Sequence, residues 1–134
     1  MAHPGPEGTE RGAATTQLVL LMPLLLLMAM LIIQFGLWYH GSHVAIAAAQ
    51  EGARAARLEG SSAAAGEARA RDFLAALGRE VVGDPQVVAS RNAEVARVEV
   101  RGRSVELIPG WRLPIDAVSE GEVERFRSPT SGRP

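Results

Sequence analysis

Few side chains in this chain could do chemistry, and their spacing limits what that chemistry would be. His40 and His43 lie three residues apart, so a helix would turn both imidazoles to one face, where two nitrogens could meet a metal ion. No carboxylate lies beside them, and two ligands alone make a poor site. Interfacial packing is therefore their expected role. Cysteine is absent, which excludes disulfides and thiolate metal sites. Asp72, Glu94 and Glu99 are interleaved with arginines and read as solvated faces. Neither a nucleophile motif built on Ser, His and Asp nor a Gly-rich phosphate loop is present. The expectation is a non-enzymatic protein without metal, cofactor or small-molecule substrate.

The charge balance argues against a nucleic-acid partner. Net charge is −1, and the basic residues, all arginine, are scattered among acids rather than gathered into a patch. A chain of 134 residues allows one domain. The apolar residues are uneven, with most Leu, Met and Ile in the first third. The remaining soluble part is small, and cores of that size are marginal unless they lean on another element or a partner.

That other element is the apolar segment. No Asp, Glu, Lys or Arg occurs from Gly12 through Gln50. Leu18 to Tyr39 is nearly all apolar, and as a helix it would reach about 33 Å, enough for a hydrocarbon core of about 30 Å. The run is too long for a secretory leader and lacks a basic region before it. Trp38 and Tyr39 stand where an interfacial aromatic belt would lie. Pro23 removes one helical N–H and crowds the carbonyl of Val19, so local loosening is expected there. Gln34, a lone amide in the run, is expected to contact a neighbouring helix. Arginines flank both ends of the span, and charge alone leaves its orientation open.

Beyond the span, HGSHVAIAAAQEGARAARLEG continues as helix, because Ala is the best helix former and no Pro interrupts before Pro85. Small residues recur every fourth position along two lines, Ala45, Ala49, Ala53 and Ala48, Gly52, Ala56. Two readings are open: an Ala-rich composition, or a surface on which other helices pack closely. EGSS, from Glu59 to Ser62, is a place to bend. Phe73, Leu74, Leu77 and Val81 then recur at helical spacing, a stripe that Gly83, Asp84 and Pro85 end. QVVAS is short and β-branched, and EVARVEVRGR alternates through Val95, Val98 and Val100, with Ala96 shifting the phase once. SVELIPGWRLP reads as a loop with apolar anchors Leu107, Ile108 and Trp111, the tryptophan as a core plug. IDAVSEGEVERF is a last strand with a bulge or bend near Gly121.

The expected architecture is α+β: a long transmembrane helix running into an Ala-rich helix, then a small antiparallel sheet of about three strands packed on its distal part, as in pilins. The expected boundaries are a leader at 1–12, the span at 13–40, an Ala-rich stalk at 41–82, the sheet region at 86–127 and a disordered tail at 128–134.

A short hydrophilic leader, a glycine, small residues and a long apolar helix resemble the precursors of type IV pilin-like subunits. More closely, RGAATTQLVLLMPLLLLMAMLIIQFG followed by AAAQEGARAAR resembles the TadE-like family, minor pseudopilins of tight-adherence (Flp-type) pilus systems. The ending VRGRSVELIPGWRLPIDAVSEGEVERF is similar to the actinobacterial branch. The resemblance implies cleavage between Gly12 and Ala13 by a prepilin peptidase, with the amino terminus cytoplasmic and the rest extracytoplasmic. It also implies partners: the membrane, other TadE-like or Flp pseudopilins and the pilus assembly machinery. Gln17 stands where the family usually has glutamate at the fifth mature position. With Pro23 early in the helix, it falls in the region implied to dock neighbouring subunits. A glutamate there would offset the buried ammonium of a neighbour, whereas an amide can only accept its hydrogen bond. The alternative is an uncleaved single-span anchor carrying a domain that binds an envelope component.

Overall fold

A computed structural model describes residues 7–126, with side chains from Thr15 onward. The expected tail at 128–134 and residues 1–6 of the expected leader lie outside the described residues. The architecture is the expected one, a long apolar helix with a short second helix and a three-stranded antiparallel sheet.

Helix α1 runs from Glu7 to Arg57, about 77 Å at 1.5 Å per residue. Leu, Met and Ala supply strong helix propensity throughout, and the helix continues through Pro23. Span and Ala-rich segment are thus one rod. The rod ends at Arg57, and the chain turns through the EGSS stretch where a bend is expected. Gly60 takes φ 73°, a conformation natural to glycine, and the Ser61 hydroxyl donates to the Ala55 carbonyl at 2.7 Å. Ser62 then caps α2 (Ala63–Phe73), its hydroxyl accepting from Ala65 N at 3.1 Å.

α2 passes into a single π-helical turn, Leu74–Gly78. The wider turn rotates the following residues, and this corrects the expected stripe. Leu74 is buried, but Leu77 points outward at 62% exposure and Gly78 takes the inner position. A methyl on Gly78 would stand 3.0 Å from Leu74 Cδ2 and 3.3 Å from Val44 Cγ1. Gly83, Asp84 and Pro85 do not terminate the helix; they open the first strand.

β1 (Gly83–Arg91), β2 (Val95–Arg103) and β3 (Pro114–Glu122) pair antiparallel in that order. Along β2 the buried residues are Ala96, Val98 and Val100, so Ala96 is in phase and Val95 is the outlying residue. β3 is unbroken: Gly121 pairs with Ala96 without a bulge. The Arg57 side chain lies across this glycine, where a Cβ would meet its guanidinium end. The inner face of the sheet, through Val87, Val98, Val100, Ile115 and Ala117, packs on Ala45, Ala48, Ala49 and Ala53 of α1. The outer face carries the ion pairs Arg97–Glu120 and Arg101–Asp116.

Candidate functional site

Two regions of α1 emerge from this fold, with opposite surroundings. The distal region is closed. Ala45, Ala48, Ala49 and Ala56 are fully buried, and Ala53 and Gly52 are buried beside them. Their cover comes from α2 and the sheet of the same chain. At Gly52 the two helices touch backbone to backbone: a Cβ would lie 2.7 Å from the Gly66 carbonyl and 2.9 Å from Ala70 Cβ. Gly66 answers in kind, a Cβ there standing 2.7 Å from Ala56 Cβ. Both lines of small residues serve close packing, and the helix that fills one of them is α2.

The amino-terminal region is open. Leu18 through Met28, Ile32 and Ile33 are all exposed, on every side of the rod. Helices this apolar and uncovered on all faces are suited to lipid or to other helices. The segment from Thr15 to Arg57 is a candidate membrane span by length and composition. Gly12 is exposed, and a methyl added to it would meet nothing within 4 Å; its carbonyl accepts from Thr16 Oγ1 at 2.9 Å. The Ala13 side chain lies outside the described residues. Gln17 and Pro23 are exposed on the open region. The structure thus keeps Gly12, Gln17 and Pro23 together on the bare arm, apart from the six small residues.

Between these regions sits a feature the sequence did not announce. Gln34 is fully buried although it lies within the apolar run. Its Nε2 donates to the Val105 carbonyl at 2.8 Å and to Ser104 Oγ at 3.3 Å. Its Oε1 accepts from Leu107 N at 2.9 Å and Ile108 N at 3.3 Å. Two donors and two acceptors are all that a primary amide offers, and all four are used. The expectation of a helix contact is therefore corrected: the partner is the loop between β2 and β3. One turn on, Trp38 Nε1 donates to the Pro114 carbonyl at 2.9 Å.

That loop is closed at its base by Ser104 N to the Leu113 carbonyl (2.8 Å) and Leu113 N to Ser104 Oγ (3.1 Å). Trp111 is not a core plug. It is 38% exposed and meets Phe35 edge to face, ring centroids 6.0 Å apart. Of the two histidines, His43 meets Tyr39 edge to face, ring centroids 4.4 Å apart, and His40 is exposed. Away from α1, a groove where α2 meets β1 is lined by Leu74, Val82 and Val87, with Arg71 and Arg79 at its sides.

Residues 12–54 match the family model described as TadE-like protein. The matched stretch covers the open arm and most of the small-residue helix, while α2 and the sheet lie beyond it. No curated protein and no solved structure matches the chain. The likeness to a TadE-like protein is confined to that stretch, about a third of the chain.

Proposed function

We propose that the chain is a minor pseudopilin, a non-enzymatic subunit that takes part in assembling a Flp-type pilus or related secretion fibre by helix packing. The observation that carries this reading is the split of α1. The small-residue face of its distal half is covered by the chain's own domain, so the broad uncovered apolar surface left for helix partners is the bare arm that begins near Gly12. A subunit of this kind would be held in the cell membrane with its amino terminus in the cytoplasm. A prepilin peptidase would then cut between Gly12 and Ala13. Gly12 is exposed and an added methyl would meet nothing within 4 Å outside its own helix backbone, so the domain does not shield this position. Cleavage would free a new amine, four residues before Gln17, for docking with neighbouring pseudopilins or the assembly machinery.

Gln17 bears on how tight that docking is. An amide accepts a hydrogen bond from a neighbour's ammonium but leaves its charge uncompensated in an apolar setting. A place at the tip or base of a fibre, where few such neighbours exist, fits this residue.

The test is the intact mass of the protein extracted from membranes after expression with its own prepilin peptidase, beside a Gly12→Ala variant. Loss of Met1 to Gly12 in the wild type alone is the expected result. An intact amino terminus in both would remove the pseudopilin reading and leave an uncleaved anchor whose domain binds an envelope component.

A further inference from the structure

We propose that the loop between β2 and β3 is a second membrane-contacting element, seated in the bilayer interface beside the last turns of the span. The inference rests on the reading that α1 crosses a membrane. Counted from Leu18, a span of about 20 residues ends near Leu37. Gln34 and Phe35 come before that point, so the loop they hold lies about 3–5 Å inside the end of the span, at 1.5 Å per helical residue. The domain therefore does not stand clear of the lipid; its lowest loop dips to the level of the acyl-chain boundary.

The loop is made for that position. Leu107, Ile108 and Trp111 lie within it, with Leu107 and Trp111 exposed and Trp111 set against Phe35, which is also exposed. Tryptophan beside aliphatic residues is the usual composition of an interfacial anchor. Its two charged side chains are tied off: Arg112 pairs with Glu106 at 3.3 Å and with Asp84, at the start of β1, at 3.4 Å. The backbone is the strongest sign. A loop in water can leave its N–H groups to solvent, whereas one entering lipid must satisfy them internally. Leu107 N and Ile108 N reach Gln34 Oε1, Gly110 N reaches Glu106 Oε1 at 2.5 Å, and Trp111 N reaches the Ile108 carbonyl at 3.0 Å. Pro109 has no N–H to satisfy. Every donor from Leu107 to Trp111 is thus paired within the chain. Gly110 takes φ 81° to close this turn.

The chain has two tryptophans, which makes the loop directly readable. The full chain carrying Trp38→Phe is reconstituted at low density in phosphatidylcholine vesicles, plain or brominated high on the acyl chains, and vesicle flotation is scored alongside. We expect flotation, with the Trp111 emission about halved by the brominated lipid, as for an interfacial residue. Should Trp38→Phe loosen the loop, the comparison of wild type with Trp111→Phe isolates the same signal in the presence of Trp38. A protein that floats while Trp111 is untouched by bromine and quenched by aqueous iodide overturns the inference and spares the spanning helix. Emission shielded from both quenchers would mean a protein surface covers the loop, which also overturns it. Failure to float removes the spanning reading and the inference with it.

Discussion

Gln34 and Leu107 are 73 residues apart in sequence, yet the Gln34 side-chain oxygen accepts the Leu107 N–H at 2.9 Å. This bond and its three companions fix the sheet's lowest loop to the long helix. They also give a polar residue within an apolar run a complete set of partners from its own chain. Such a residue is costly in lipid when unpaired. Here it is a fastening.

Gln34→Leu should therefore destabilise the domain. It leaves the Leu107 and Ile108 N–H groups and the Val105 carbonyl without their partner, at about 1–3 kcal/mol for each group that stays buried. A thermal melt in detergent, followed by circular dichroism, should show a clear drop. Gln34→Glu should fail to rescue it, because an oxygen would then face the Val105 carbonyl at the present 2.8 Å. A melt unchanged in both variants would mean that the fastening carries no stability.

The crossing of α1 and α2 should tolerate no added methyl. Gly66→Ala places a carbon 2.7 Å from both Ala56 Cβ and the Gly52 carbonyl, and overpacking of this kind costs about 1–3 kcal/mol. Gly36→Ala meets nothing within 4 Å and lies mid-helix, where alanine is favoured over glycine by about 0.5–1 kcal/mol. Denaturant unfolding of the pair should move in opposite directions. Equal shifts would sink the close-contact account.

The start of α2 depends on Ser62. Its hydroxyl is the acceptor for Ala65 N, and removing such a cap costs about 1 kcal/mol. Ser62→Ala should lose about that much, Ser62→Asp almost nothing. By contrast Arg97→Ala, which breaks a pair between two side chains about half exposed, should shift stability by less than about 1 kcal/mol. Thermal melts of the three variants side by side check the ranking.

Gln17 offers a test on function. If docking is limited by an uncompensated amine, Gln17→Glu should raise recovery of co-purifying pseudopilins or the number of pili per cell. No change in either measure would count against both the weak-docking and the terminal-position readings.

Much of the fold is legible in the residues. An uncharged stretch from Gly12 to Gln50 can hardly be anything but an apolar helix, and alternation marks the strands. Most of the positions where residue pattern and structure part depend on a neighbour distant in sequence. Ala96 is out of phase only if valine is required on the inner face, whereas the buried residue there is this alanine, paired across the sheet with Gly121. Leu77 falls outside because a π-helical turn, which leaves no mark in hydrophobic spacing, rotates it away. Gly121 makes room for Arg57 rather than for a bend. Trp111 reads as a core residue because tryptophan usually buries, yet its neighbour is Phe35, on the rim of the apolar span. Gln34 shows the limit best. Period and composition locate it, and only the folded loop says what its amide is for.

Pro23 has a mechanical consequence once Gln34 is known to tie the helix to the domain by hydrogen bonds. Above Gln34 the rod is braced by a sheet and a second helix, and resists bending as a unit. From Ala29 down to Thr15 the arm is exposed, and its hydrogen-bond ladder lacks a rung at Pro23. Compliance is therefore concentrated at one place, eleven residues below the brace. A sideways load on the amino-terminal end is taken up by flexure there, and little torque reaches the sheet. The arm can change its tilt while the domain keeps its own.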